Sequence, residues 1–555
     1  MSVRERLGGS PSHLDAPLQL SRASVVVEQS PSLGLDETKK RVRSTPVSLI
    51  IPPSVFLADE RVFPFLGPLK VAAELERNGN PVEVLDLSGY GNYESIVEDY
   101  VRNSRTNHFG LTATTPQIPA AVRILRRIKE VRPDAVIILG GPHATLTYTG
   151  MLEDRKVRRS GRGTAAFRQL ENLFDRVVVG DGEMAIFPAI DPQWRERVID
   201  AGDLKSPFRI SKAGLDAFSW PARHLIDRYS YHYKIDDKPA FSVIGQLGCP
   251  FECGFCGGRD SSVFRGIRNR TVENVVAEIE HEVLLSRENN HPLSAVMFYD
   301  DELNVTPGGL ENLCRQLIEM QTRVGEQMAF RGFVKADLFK PEQAKLMKEA
   351  GFTILLTGVE SGSDKILSAM KKRTSRKINS ACVAYAHEAG LSVKSLMSIG
   401  HPGESQDTIS DSIEWAMSNL INDGVIKDDI DWTIITQYPG SPYYDHSIYV
   451  PEQDAWLYTV KVGEEELKLW SREVDFAEHA EYYKGVPGEY QAFVWTDHLS
   501  AEQLVANRDE AEKVTRNALG LTSIQHVAAM QFEHSMGQGL PPTILRKAGD
   551  VYEAR

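Results

Sequence analysis

The alternation of short β-rich runs with amphipathic helical stretches constrains this chain more than any other feature. Val47-Ser48-Leu49-Ile50-Ile51, Val82 to Asp86, His108 to Thr112, Ala135 to Leu139 and Arg176 to Val179 read as strands. Helical stretches lie between them, at Gly67 to Asn78 and after Gln117. Strand, helix, strand in this rhythm means a doubly wound parallel sheet with helices on both faces, over residues 45–190. Ligands of such sheets bind beyond the carboxyl ends of the strands. Those ends carry Thr114, Thr115 and Gln117, then Gly140, Gly141 and His143, then Gly180, Gly182 and Glu183. Any one of these loops alone reads as an ordinary tight turn. Three in one sheet favour a ligand site, since glycine lets a ligand approach the backbone and leaves N–H groups free for phosphate or amide oxygens.

A second run of the same kind follows. Strands at Phe241–Ile244, Ala295–Tyr299, Ala329–Val334, Phe352–Thr357, Ser392–Ile399 and Trp432–Thr436 each end in polar or glycine-rich punctuation. Six such units over residues 236–450 predict a partial (β/α)6 barrel whose chemistry lies at the strand ends. Residues 1–44 lack sustained periodicity and read as a disordered tail. Residues 191–235 read as a linker. Residues 451–555 read as a mainly helical C-terminal cap, with a capping box at Ser500-Ala501-Glu502-Gln503.

The first barrel strand leads into Gly248-Cys249-Pro250-Phe251-Glu252-Cys253-Gly254-Phe255-Cys256-Gly257-Gly258. Three of the chain's five cysteines sit here as C-x3-C-x2-C. Structural zinc takes four protein ligands, and His224, His232, His281 and His291 form no pair with the loop. A redox pair would explain two cysteines and leave the third over. A [4Fe-4S] cluster held by three thiolates, with one iron open, fits best. Cys314 and Cys382 lie in helical sequence and read as plain buried residues.

The array, with an aromatic residue directly before its third cysteine, resembles the signature of radical S-adenosylmethionine (SAM) enzymes. Gly358-Val359-Glu360-Ser361-Gly362-Ser363 and Pro439-Gly440-Ser441-Pro442 resemble further motifs of that superfamily's barrel. The upstream sheet, with Gly140-Gly141-Pro142-His143 and Gly180-Asp181-Gly182-Glu183, resembles the Rossmann-like cobalamin-binding domain that precedes the barrel in one branch. The Asp-x-His-x-x-Gly motif of histidine-ligated cobalamin is missing; Asn107-His108-Phe109-Gly110 stands nearest, and His108 reads as structural. The resemblance implies that Cys249, Cys253 and Cys256 hold the cluster. It implies that Phe255, Asp300, Asp301, Lys335, Glu360, Ser361 and Ser398 bind SAM, and that the three upstream loops bind cobalamin. It also implies a 5'-deoxyadenosyl radical made by reductive cleavage of SAM, an external electron donor of flavodoxin or ferredoxin type, and methylcobalamin as a methyl source.

The function expected from this resemblance is methyl transfer to a carbon of a small molecule in specialised metabolism. An oxidative cyclase or rearrangement enzyme with the same cofactors is the alternative, and a non-catalytic cofactor sensor a third reading. Tyr482, Tyr483 and Trp495 of the cap are candidate pocket residues, though aromatics in such a segment usually just pack. A formal charge of -13 argues against a nucleic-acid partner, which needs a clustered basic surface. No apolar run is long enough to span a bilayer, so neither a membrane partner nor a secretory route is expected, and the cytoplasm is.

Overall fold

The computed structural model describes residues 34–54, 60–159, 161–212, 214–479 and 491–521. Most of the tail, Tyr482, Tyr483 and the turn-rich stretch around Gly537 fall outside them.

The upstream domain is a six-stranded sheet of β1 (Val47–Ile51), β2 (Val82–Asp86), β3 (His108–Thr112), β4 (Val136–Gly140), β5 (Arg176–Gly180) and β6 (Val198–Ala201). Their order is β2-β1-β3-β4-β5-β6 and every pairing is parallel. β1 lies inside the sheet, which is why Val-Ser-Leu-Ile-Ile is buried at all five positions, whereas β2 at the edge is only partly covered. Helices α1 (Leu35–Val42), α2 (Leu66–Asn78), α3 (Tyr93–Asn103), α4 (Ile118–Val131), α5 (Pro142–Lys156), α6 (Arg162–Leu173) and α7 (Gly182–Ala189) complete the domain. One core packs α3 to α6 on one face of the sheet, and another packs α1, α2 and α7 on the opposite face.

Two boundaries differ from the sequence reading. α1 falls inside the stretch read as tail, where Val42 is buried and Arg41 pairs with Asp191. β6 falls inside the stretch read as linker and extends the sheet by one strand.

The second domain begins with β7 (Lys234–Ile235), β8 (Lys238–Val243) and the short antiparallel pair β9 (Gln246–Leu247) and β10 (Arg268–Asn269). It continues with β11 (Ala295–Phe298), β12 (Ala329–Phe333), β13 (Phe352–Glu360), β14 (Ser392–Ile399) and β15 (Asp429–Ile434). Strands β8 and β11 to β15 are parallel neighbours in chain order, with β7 antiparallel on β8. This is the expected partial barrel of six strand-helix units.

The C-terminal part is built from an antiparallel sheet as well as a long helix. β16 (Ile448–Val450), β17 (Ala455–Val462), β18 (Glu465–Ser471) and β19 (Val494–Trp495) pair in order. Helix Ala501–Ala518 lies on β15, the open edge of the barrel, burying Leu504 and Ala511. There Thr515 accepts from the Trp432 indole at 3.0 Å, and Arg508 donates to the Trp432 carbonyl at 2.9 Å. A helix over an edge strand blocks pairing with other chains.

Candidate active site

The cysteine loop is pinned by backbone hydrogen bonds. Cys249 N–H donates to Phe264, Gly254 N–H to Met370, Tyr443 N–H to Gly254, and Gly258 N–H to Gly440. Arg259 donates to the Cys249 carbonyl at 2.7 Å, and its charge stands beside the Cys249 and Cys256 thiols. Burial pushes the Cys256 thiol up to about 12 and raises Cys249 as well. Thiols held this way ionise only with a cation in place, which iron supplies. The donor set, the spacing and the Arg259 charge all fit a thiolate-held [4Fe-4S] cluster.

Inside the barrel a chain of polar groups runs away from this loop. Its anchor is Glu360, at a register shift between β13 and β14, with φ 65°. A non-glycine residue in the left-handed region is uncommon, and a bulge re-aims its side chain. Glu360 accepts from Lys372 at 2.9 Å and from the Ser398 hydroxyl at 2.8 Å. Ser398 is 2.8 Å from His401 Nε2, and His401 Nδ1 is 3.3 Å from the Tyr443 hydroxyl. Burial, with help from Lys372, lowers the His401 pKa to about 3, so the ring is neutral. One proton arrangement then satisfies every link: Tyr443 donates to Nδ1, Nε2–H to Ser398, and Ser398 to Glu360.

Burial opposes the charge on Lys372, but Glu360, the Cys253 thiol and Glu302 outweigh it and raise its pKa above the ordinary lysine value. Phe255 meets His401 edge-on, centroids 5.3 Å apart, with the Lys372 ammonium 5.9 Å from its ring. Lys335 pairs with Asp337, donates to the Lys372 carbonyl at 3.3 Å and lies 4.3 Å over Phe251. Phe255, Glu360, Ser398 and Lys335 therefore all stand at the cysteine loop or on the chain leading from it.

Of the remaining expected SAM residues, Asp300 and Ser361 are engaged within the protein, while Asp301 stands at the cysteine loop beside Arg259. Asp300, raised by burial to about 7, accepts the Gly245 N–H at 2.6 Å and braces the strand that feeds the loop. Asp301 is raised by burial and opposed by Arg259 and the Gly248 N–H. The Ser361 hydroxyl is 3.1 Å from that of Ser412, in the seam between β13 and helix Gln406–Asn419.

In the upstream domain, β1 and β3 flank the point where the strand order reverses, and the Thr114 to Gln117 loop follows β3. Gln117 is consumed there: its carbonyl accepts from Thr114 N–H at 3.0 Å and its amide donates to Pro52 at 2.7 Å. Thr115 Oγ1 is 3.0 Å from His143 Nδ1. His143 is fully buried and held neutral, its pKa lowered by burial to about 3, and its Nε2 has no hydrogen-bond partner. That orphaned polar atom, at the carboxyl edge of the sheet, fits a polar ligand. Gly140 closes β4 opposite Thr112, Gly141 precedes α5, Gly180 closes β5 and Gly182 opens α7. Glu183, raised by burial, lies 3.7 Å from Lys70.

The two halves meet at the cysteine loop. Leu146 of α5 packs on Gly440 and on Gly257, the residue after Cys256. Arg162 of α6 is buried in the seam, donating to the Tyr444 carbonyl at 3.1 Å and to Gln437 at 2.5 Å, with Tyr444 stacked 3.7 Å away.

Comparison with known proteins decides the family. The radical SAM superfamily matches residues 243–416, and the B12 binding domain matches residues 62–171. The chain belongs to the cobalamin-binding branch of the radical SAM superfamily. Curated relatives extend over both domains. A protein of Pyrococcus horikoshii named uncharacterized methyltransferase PH0819 is 25% identical over 423 residues, 72% of this chain and 83% of its own length. The anaerobic magnesium-protoporphyrin IX monomethyl ester cyclase of Rubrivivax gelatinosus is 24% identical over 404 residues, 67% of each chain. The fold resembles the radical SAM methyltransferase TsrM from Kitasatospora setae, at a TM-score of 0.57 and 17% identity, over 89% of this chain and 95% of that one. As a radical SAM enzyme of this branch the protein uses a [4Fe-4S] cluster, SAM and cobalamin.

Lys372, His401, Tyr443 and Arg259 were missed from sequence. Lys372 sits in Lys371-Lys372-Arg373, a charge run of the kind that is usually solvated. His401 follows a strand in Gly400-His401-Pro402-Gly403, and that position was the signal that could have found it.

Trp495 stacks on Trp470, centroids 6.4 Å apart, within the antiparallel sheet. No helix among the described residues is long and apolar enough to cross a membrane.

Proposed function

We propose that this enzyme transfers a methyl group from cobalamin to a carbon of a small molecule, in specialised metabolism. The observation that carries the reading is the seam itself. Leu146, on the helix that springs from the Gly140–Gly141 loop, touches the glycine after the third cluster cysteine, so the two cofactor-holding regions share one buried interface. The methyltransferase relative, which spans both domains, supports the same reading.

The cofactors supply a 5'-deoxyadenosyl radical and a transferable methyl group. The chain's own part is to hold and orient them. Cys249, Cys253 and Cys256 hold the cluster, and Arg259 balances its charge. The strip of Phe255, Lys372, Glu360, Ser398 and His401 offers a carboxylate, an ammonium and a hydroxyl to the amino acid and ribose groups of SAM. Thr115 and His143, with the Gly140 and Gly180 loops, hold cobalamin. A flavodoxin or ferredoxin type protein delivers the electron, the compartment is the cytoplasm, and nucleic acid takes no part.

The cyclase relative favours a second reading, oxidative cyclisation with the same cofactors. An anaerobic reaction with reductant, hydroxocobalamin and SAM carrying a deuterated methyl group separates the two. Label in protein-bound methylcobalamin, absent when Cys249, Cys253 and Cys256 are all replaced by Ala only if the cluster takes part in that step, is the expected result. 5'-Deoxyadenosine without any labelled methylcobalamin would favour the cyclase.

A further inference from the structure

Glu153, Asp260 and His446 come from three separate places in the chain. Glu153 is on the last turn of α5, Asp260 follows the cysteine loop, and His446 follows the Pro439-Gly440-Ser441-Pro442 turn. Each offers one ligand atom, and these atoms all lie within 4.8 Å of one another. His446 Nε2 is 3.2 Å from Asp260 Oδ2, while Glu153 also pairs with the exposed Lys156.

A second observation concerns the carboxylate next to this group. Asp445 is 3% exposed, its Oδ1 accepts the Gly440 N–H at 3.1 Å, and its Oδ2 has no hydrogen-bond partner. The charged groups that act on it are Asp260, Arg162 and His446. Arg162 spends its nitrogens on Tyr443, Tyr444, Gln437 and Ser471, so none of them bonds to the Asp445 carboxylate, which also feels Asp260 and His446. Three carboxylates thus crowd one imidazole that is 47% exposed. A buried carboxylate oxygen without a partner is costly, and a divalent cation beside it meets that cost.

We propose that Glu153, Asp260 and His446, backed by Asp445, form a divalent transition-metal site that clamps the cobalamin-binding domain to the radical SAM barrel. One imidazole and two carboxylates suit Zn2+ and related borderline ions. The clamp is distinct from the cluster, because its ligands include none of the cysteines. It ties the far end of the helix that carries Leu146 to the segment four residues beyond Cys256, and so fixes the distance between the two cofactor regions.

The test uses full-length protein carrying its reconstituted cluster and cobalamin, passed over a chelating resin and then titrated with Zn2+ alone. Zinc and iron are counted after gel filtration. The expected result is about one zinc retained per chain with iron unchanged, and a zinc-dependent rise in the thermal midpoint. His446→Ala should weaken zinc at least tenfold and abolish the midpoint rise. Glu153→Gln, which keeps the size of the side chain, serves as the second variant and should weaken zinc in the same direction with the fold intact. Three results overturn the site: no zinc retained by the wild type, equal retention by both variants, or zinc uptake matched by loss of iron, which would put the metal at the cysteines. None of these readouts depends on turnover, so the methyl-transfer reading can fail while the clamp stands.

Discussion

Gly254 lies between the second and third cluster cysteines, with the buried Tyr443 ring directly against its α-carbon. A β-carbon there would stand well inside van der Waals distance of the ring. The ring has no room to retreat, since Tyr443 is 1% exposed and packs on Tyr458 at 4.8 Å. Gly254→Ala should therefore displace the loop and at least halve the iron installed by reconstitution. Gly257→Ala is the internal comparison: its nearest neighbour would be Leu146 at 3.4 Å, an ordinary contact, and iron loading should stay near wild type. Equal loading in both variants would mean that Tyr443 does not shape the loop. At this scale the three cysteines were legible because their spacing is local. The partners of Glu360 were not: Lys372, Ser398 and His401 are brought together by strand register, which no short window of sequence carries. Ser361 shows the complementary case. Its place in the motif is visible in sequence, but its pairing with Ser412, 51 residues on, is not.

Helices α5 and α6 cross at Gly150 and Gly163. A β-carbon on Gly163 would sit 2.6 Å from the Gly150 backbone, and backbone cannot rotate out of the way as a side chain can. Gly163→Ala should cost about 2 kcal/mol by overpacking, read as a lower urea midpoint with unchanged slope. Because α5 starts at the Gly140–Gly141 loop, the same variant should also retain less hydroxocobalamin through gel filtration. Loss of stability without loss of cobalamin would separate the crossing from the ligand site. Legibility at this scale followed burial. Val47–Ile51, apolar but for Ser48, and Ser392–Ile399, which mixes apolar residues with Lys394 and three serines, stand in sequence as they do in the structure. Val198–Ala201 escaped because four residues between Arg197 and Gly202, one of them Asp200, carry little periodicity. The antiparallel sheet of the cap was more accessible than the mainly helical reading allowed. Gly463-Glu464 joins β17 to β18, and a two-residue loop with leading glycine between alternating runs is a hairpin signal.

Arg162 couples the whole molecule. It stands on the cobalamin-binding domain, and its guanidinium donates to Tyr443 and Tyr444 carbonyls and to Gln437 of the barrel and to Ser471 of the cap sheet, while stacking on Tyr444 and Trp456. One buried side chain thus reaches three parts of the fold, all of which a sequence reading treats as separate domains. Leu146 and Arg268 add to the same seam, the latter pairing with Asp181 of the Gly180–Glu183 loop at 2.5 Å. Hydrogen bonds from a charged donor contribute about 1.5–3 kcal/mol each in favourable cases and are not additive. Arg162→Met keeps the length and apolar bulk and removes the donors. It should cost about 3 kcal/mol, taking the Arg162 donor from the Tyr443 carbonyl and leaving that of Tyr444 to the Ser447 hydroxyl. The decisive measurement is hydrogen exchange: amides around Tyr443 to Ser447 and along β18 should lose protection together, while those in β1 and β3, deep in the upstream sheet, should keep theirs. Uniform loss across all three regions would show one cooperative unit that Arg162 does not divide. Loss confined to Tyr443 to Ser447 would show that the cap sheet is held to the upstream domain by other contacts, such as Phe476 against His143.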